Sequence, residues 1–137
     1  MKKPIVLIAI IMLSGMLLSA QSVKNKIEVL YFKANLSCCK SRACNALEAE
    51  IQNIISENYP DSSVVLTEIK LVDEANKALI EKYNAKSQTV IIVRKKKKKE
   101  FYVDVSDIVQ SYVQNQNKET LKQEVTAKIS EIKEKKK

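Results

Sequence analysis

The chain has 137 residues, a formal net charge of +8, and neither histidine nor tryptophan. The lack of histidine excludes acid–base catalysis and metal binding by an imidazole. The single glycine, Gly15, excludes glycine-rich phosphate loops and nucleophile elbows, because these motifs need several glycines. Among the residue types with distinctive reactivity, cysteine remains, and the chain has three.

The first twenty residues have the organisation of a secretory signal. Lys2 and Lys3 form a basic start, residues 5–13 are apolar, and residues 18–20 end in small side chains. Cleavage after residue 20 leaves one domain and predicts a periplasmic or secreted protein. The alternative is an uncleaved membrane anchor, but the apolar stretch is short against the roughly 20 residues of a span.

After the signal, β-branched and aromatic runs alternate with helical periodicity. In chain order the predicted elements are a strand at residues 26–33, a helix at 41–58, a strand at 63–71, a short helix at 73–83, strands at 88–94 and 101–105, and helices at 107–114 and 118–133. The first helix carries Leu47, Ile51 and Ile55 on one face. Ser41 is predicted as its N-cap, and Pro60 ends it.

The order βαβαββα predicts an α/β fold with a mixed four-stranded sheet flanked by helices. Strands separated by helices favour parallel pairing, and the last two strands favour a hairpin. With cysteines directly after the first strand, this is the thioredoxin arrangement. We therefore predict a single thioredoxin-like domain at residues 21–133, followed by a frayed basic tail at residues 134–137.

Cys38, Cys39 and Cys44 lie between the first strand and the first helix. The reactive form of cysteine is the thiolate, which is stabilised by the free N–H groups and the dipole of a helix N-terminus. With Ser41 as the N-cap, Cys44 is the third residue of the helix, and Arg42 adds positive charge beside it. The pattern predicts a reactive site of three thiols, supported by Ser41 and Arg42.

Two uses of these thiols follow, and a third interpretation is that they are inert packing residues. In thiol–disulfide exchange, Cys44 pairs reversibly with Cys39 or Cys38. Cys39 is the favoured partner, with four residues between it and Cys44, whereas the adjacent Cys38 and Cys39 would form a strained ring and are a poor pair. The common redox spacing C-x-x-C is absent. In the second use, all three thiolates bind trivalent arsenic or a soft metal such as Cu(I), whereas zinc normally takes four ligands.

Residues 27–133 resemble an exported thioredoxin-like family described as nitrophenyl compound nitroreductase subunit ArsF. The matching features are VLYF at residues 29–32, CNALE at 44–48, ALIEKY at 78–83 and the closing helix at 115–132. Where that family has the first cysteine of C-x-x-C, this chain has Ser41. The resemblance implies an exported redox protein or redox subunit.

A second resemblance is local to the cysteines. The spacing C-C-x4-C from Cys38 to Cys44 is similar to that of the arsenic metallochaperone ArsD, which is also thioredoxin-like. This resemblance implies that Cys38, Cys39 and Cys44 would hold As(III) as three thiolate ligands.

The segment before the third strand differs from that of thioredoxins, which carry a cis-proline there facing the cysteines. Residues 87–90 read SQTV and contain no proline. A cis bond is not expected, because it costs roughly 2.5–4 kcal/mol without proline. We predict that the amide of Gln88 or the hydroxyl of Thr89 faces the thiols instead.

The basic run at residues 94–99 consists of Arg94 and five lysines, ending at Lys99. It is predicted to be the solvated tip of the last hairpin, with weak attraction to anionic surfaces and no nucleic-acid binding. The main hypothesis is an exported thiol–disulfide redox protein without a cofactor. Its partner would be a redox protein or a membrane-bound electron donor. The alternative is a non-enzymatic binder of As(III) or a soft metal ion.

Overall fold

A computed structural model describes residues 26–35 and 38–135, with the backbone alone at residues 38–41. Its elements are β1 Ile27–Lys33, α1 Cys38–Asn58, β2 Val64–Lys70, a 3-10 turn Glu74–Asn76, α2 Lys77–Tyr83, β3 Val90–Lys96, β4 Lys99–Asp104, α3 Ser106–Asn115 and α4 Lys118–Glu134. The predicted signal lies outside the described residues. None of the helices in the described part is long and apolar enough to cross a membrane.

The four strands form one mixed sheet in the order β2-β1-β3-β4. β1 and β2 are parallel, with Ile27 opposite Val64, because α1 carries the chain back to the starting edge of the sheet. β3 runs antiparallel to β1, and β4 runs antiparallel to β3 as a hairpin. This is the sheet of a thioredoxin-like domain, so the predicted α/β fold is confirmed.

Alternate residues of β1 face the two sides of the sheet. Val29 and Tyr31 pack in the larger core with α1, α3 and α4. Leu30 and Phe32 pack in the smaller core against α2. The apolar stripe predicted for α1 is buried in the larger core, as are Leu121, Val125, Ile129 and Ile132 of α4.

α1 begins one turn earlier than the sequence predicts. Its first residue is Cys38, so Ser41 lies inside the helix and Cys44 lies in the second turn. The prediction of Ser41 as the N-cap is therefore wrong. No glycine or proline separates Cys38 from Cys44, and Arg42 and Ala43 are strong helix formers, so nothing local ends the helix at Ser41.

The basic run is also not the free tip that the sequence predicts. β3 continues to Lys96 and β4 begins at Lys99, so the turn between them is two lysines. Arg94 lies inside β3, is 6% exposed, and places Nη1 at 2.6 Å from the carbonyl oxygen of Lys133. Arg94 therefore binds the end of α4, and the five lysines form the two-residue turn and the strand ends beside it. Residues 136–137 of the predicted tail lie outside the described residues.

Candidate functional site

Cys44 is a buried thiol in the second turn of α1. It is 2% exposed and not disulfide-bonded. The side-chain amide of Gln88 donates a hydrogen bond from Nε2 to Cys44 Sγ at 3.6 Å. The two residues are 44 positions apart, so the contact depends on how α1 packs against the turn that precedes β3.

The turn before β3 presents Gln88 in an unusual backbone conformation. The Thr89 N–H bonds to the Lys86 carbonyl at 3.1 Å, and Gln88 has φ 67°. That position of a type II turn favours glycine, and another residue there costs about 1 kcal/mol. The Gln88 N–H is anchored to the Phe32 carbonyl at 2.8 Å. The turn is therefore fixed to β1 while it holds the Gln88 amide against Cys44.

Thr89 has a different part in the same turn. It is buried, and its hydroxyl accepts a hydrogen bond from the Lys86 N–H at 2.9 Å. The structure thus places the amide of Gln88 beside a thiol, whereas the hydroxyl of Thr89 closes the turn. Arg42 is exposed on α1.

Helix geometry sets the spacing of the three cysteines. The side chains of Cys38, Cys39 and Ser41 lie outside the described residues, but their backbone belongs to α1. In an ideal helix the Cα atoms of Cys39 and Cys44 are about 8.5 Å apart, and those of Cys38 and Cys44 about 10 Å. A disulfide requires roughly 4.4–6.8 Å between Cα atoms. While the first turns of α1 are helical, Cys44 can pair with neither cysteine.

Tyr31 of β1 contacts the turn of α1 that contains Cys44, and the sequence interpretation did not identify it. Its hydroxyl donates a hydrogen bond to the Cys44 carbonyl oxygen at 3.1 Å, in a fully buried setting. Burial, and then the neighbouring Cys44, raises the pKa of Tyr31 well above its ordinary value. Tyr31 is therefore a neutral donor at physiological pH. The alternation of β1 could have indicated it, because Val29 and Tyr31 share the face that meets α1.

A group of charges lies next to this position. Lys33 at the end of β1 places Nζ at 2.7 Å from Glu48 Oε2 and 3.2 Å from Glu68 Oε2. The hydrogen bond with Glu48 is the main cause that raises the pKa of Lys33. Burial is the largest single influence on the pKa of Glu68 and would raise it, but the hydrogen bonds with Lys33 and Glu48 and the nearby positive charges together outweigh it, so the pKa is lowered. Glu48 is four residues after Cys44 on α1, so the charges border the thiol site.

The described side chains do not include a set of ligands for a soft ion. Within residues 26–35 and 42–135, no three Cys, Asp or Glu side chains are placed to hold a metal ion. Two of the three predicted ligands, Cys38 and Cys39, have side chains outside that part. The As(III) site therefore stays a prediction.

No family model matches the chain, and no curated protein matches it either. A solved structure described as "Structure of a malarial protein" is 24% identical, over 66% of this chain and 96% of that chain, with a TM-score of 0.38. At that TM-score the similarity carries no argument. The resemblances to the ArsF family and to ArsD stay predictions, and the fold assignment depends on the sheet order and connections of this chain.

The Tyr31 hydrogen bond leads to a stability prediction. Changing Tyr31 to Phe is expected to lower the free energy of unfolding by about 1 kcal/mol, because one buried hydrogen bond is lost. The Cys44 carbonyl keeps its helical partner, which limits the loss. Urea unfolding measures the change, with Tyr102→Phe as the control because Tyr102 is 54% exposed. Equal stabilities of the two variants would show that the Tyr31 bond contributes nothing.

Proposed function

We propose that this chain is an exported thioredoxin-like protein that exchanges electrons with a partner through Cys38, Cys39 and Cys44. The main support is the contact of 3.6 Å between Gln88 Nε2 and Cys44 Sγ. It brings a polar side chain from the turn before β3 to a thiol of the cysteine-bearing helix. The predicted signal supports export, since disulfide chemistry belongs to oxidising compartments. The resemblance to the exported ArsF family supports the same class.

The burial of Cys44 indicates which thiol attacks the partner and which one acts second. Because Cys44 is only 2% exposed, its sulfur is not accessible to a disulfide on a partner protein. Attack on the partner is therefore assigned to Cys38 or Cys39, which begin α1. The first N–H groups of a helix have no intrahelical acceptor, and together with the dipole they favour a thiolate. Cys44 is assigned the second step, which releases the partner.

The proposed reaction balances in two displacements. The thiolate of Cys38 or Cys39 attacks a partner disulfide, forms a mixed disulfide and releases one partner thiolate. Once the first turns of α1 unwind, the Cys44 thiolate attacks the sulfur of the first cysteine, forms the internal disulfide and releases the second partner thiolate. Two electrons pass from this chain to the partner. Gln88 Nε2 donates a hydrogen bond to the Cys44 sulfur before it attacks.

Trapping the mixed disulfide tests this assignment. Reduced protein comprising residues 21–137 is mixed with oxidised glutathione, quenched with an alkylating reagent and weighed intact. Wild type is expected to end with an internal disulfide that includes Cys44 and no glutathione. Cys44→Ser is expected to retain one glutathione, because the strained Cys38–Cys39 ring is a poor alternative.

The single variants Cys38→Ser and Cys39→Ser complete that experiment. The variant that lacks the attacking thiol should react slowly and remain largely unmodified, which identifies the attacking residue. The redox proposal fails if Cys44→Ser gives the same products as wild type. It also fails if none of the three thiols reacts with glutathione.

A second function, capture of As(III) or another soft ion, is favoured by one observation. Cys44 is a free thiol, so it can serve as a ligand once the first turns of α1 unwind and expose it. The spacing that resembles ArsD supplies the other two ligands, Cys38 and Cys39. Arsenite titration of the reduced protein would then show one-to-one binding that each single cysteine-to-serine change abolishes. Binding that survives the loss of Cys44 would exclude the three-thiolate site.

A further inference from the structure

Basic side chains from three separate parts of the chain meet at one end of the domain. Ile27 pairs with Arg94 in the sheet, which puts Lys26 beside the β3–β4 hairpin. Arg94 Nη1 lies 2.6 Å from the Lys133 carbonyl oxygen and 3.1 Å from that of Lys135, which brings the end of α4 to the same place. We call this the basic pole, formed by Lys26, the five lysines at residues 95–99, Lys133 and Lys135.

Most of the positive charge at the basic pole is exposed and not neutralised. All of its lysines are exposed except Lys96, which is half-buried. Two of them have acidic partners: Lys95 lies 3.7 Å from Glu28, and Lys135 lies 3.4 Å from Glu131. Among the described residues, no other lysine of the pole has a carboxylate within ion-pair distance. The excess charge is therefore available to an external anion.

The hairpin is weakened by the lysines that form it. Lys97 has φ 57° at the first position of a two-residue turn, where glycine is favoured. Lys96 is directly opposite Lys99 across the strands, and like charges in that position repel. Neither feature helps the fold. The consecutive lysines are thus better explained by what they contact than by the stability of the hairpin.

The basic pole lies at the opposite end of the domain from the thiol site. β1 runs from Ile27 at the pole to Lys33 beside Glu48, a length of roughly 20 Å. Lys26, at the pole, is also where the segment that contains the apolar residues 5–13 joins the domain. Before the predicted signal is cleaved, or in the alternative in which it stays as an anchor, positive charge and the connection to the apolar segment therefore occur at the same end.

We propose that the basic pole binds an anionic phospholipid surface and orients the domain with its thiol end away from that surface. The lysine run contains no aromatic residue on which a base could stack, which favours lipid over nucleic acid. Each lysine near an anionic membrane strengthens binding roughly fivefold, and salt screens the attraction. The inference is independent of the proposed thiol chemistry, since no cysteine takes part in it.

Vesicle sedimentation tests the proposal with protein comprising residues 21–137. Wild type is expected to bind vesicles of phosphatidylglycerol and phosphatidylcholine at physiological salt, and not vesicles of phosphatidylcholine alone. Lys97→Gln, Lys98→Gln and Lys99→Gln combined should weaken binding roughly a hundredfold. The matched control changes three exposed lysines outside the pole to Gln, namely Lys70, Lys77 and Lys86. It removes the same charge and should alter binding no more than about threefold.

The proposal is overturned if phosphatidylglycerol vesicles do not retain wild type, if the control variant loses as much binding as the pole variant, or if the pole variant binds like wild type. Binding to a single-stranded oligonucleotide without binding to vesicles would assign the pole to another class of partner and would equally overturn it. Thermal unfolding of both variants confirms that the comparison is between folded proteins.

Discussion

Changing Arg94 to Met is expected to lower the free energy of unfolding by about 3 kcal/mol and to release the last turn of α4. Arg94 Nη1 lies within hydrogen-bonding distance of three carbonyl oxygens: Ile132 at 3.0 Å, Lys133 at 2.6 Å and Lys135 at 3.1 Å. The last carbonyls of a helix have no N–H partner of their own, and a cation there also complements the helix dipole.

The expected size follows from opposing contributions. Nη1 carries two N–H groups, so it can donate a hydrogen bond to two of the three carbonyl oxygens at a time. A hydrogen bond from a charged donor contributes roughly 1.5–3 kcal/mol to the free energy of unfolding. In the Met variant no charge has to be buried. The buried Nε, which has no hydrogen-bond partner among the described residues, is also gone. Both changes favour folding and offset part of the lost stability. Urea unfolding gives the stability, and hydrogen exchange of residues 130–135 shows whether α4 frays.

Two further variants separate binding of the carbonyls from charge alone. Arg94→Lys keeps the charge but lacks the planar fork, so we expect it to lose about half as much stability. Lys95→Met is the matched control, because the side chain of Lys95 is 65% exposed and its change should stay within about 0.5 kcal/mol. Similar stabilities for Arg94→Met and Lys95→Met would contradict the assignment of Arg94 as the cap of α4.

For Arg94, the sequence indicates that the side chain is buried but not which groups it binds. Charge composition groups it with the five lysines that follow, whereas strand periodicity places it on the face of Val90 and Ile92, in the larger core. The periodicity was present in the sequence. The acceptor was not predictable, because the carbonyls of α4 are distant in sequence and carry no side-chain signal.

The same distinction holds at the cysteines. The order of strands and helices was predictable, because each element has a clear apolar period. The start of α1 was not, because the cap preference of Ser41 competes with a continuous run of helix formers, and the helix continues. The missing proline before β3 did indicate that Gln88 or Thr89 faces the thiols, and Gln88 makes the contact with Cys44. That contact depends, however, on a left-handed backbone at a position without glycine. No local sequence rule predicts that conformation.

The early start of α1 leads to the second large effect: oxidation of Cys44 with Cys39 or Cys38 is expected to unwind the first turns of α1. Their Cα atoms must approach from about 8.5–10 Å in the helix to less than roughly 6.8 Å in a disulfide. In an α-helix the N–H groups of residues 42–45 bond to the carbonyls of residues 38–41. Hydrogen exchange at residues 42–45 should therefore be slow in the reduced protein and fast in the oxidised one, once intact mass has established the disulfide.

The control is the double variant Cys38→Ser, Cys39→Ser, which keeps Cys44 and cannot close a ring. Its exchange at residues 42–45 should be the same under reducing and oxidising conditions. Unwinding that costs about 2 kcal/mol makes the disulfide easier to reduce by about 40 mV than one formed without unwinding. Slow exchange in a protein whose disulfide includes Cys44 would show that the ring closes without opening the helix. In that case α1 of the reduced protein would have to begin after Cys39. The Cα separations of about 8.5–10 Å expected for a continuous helix would then not apply.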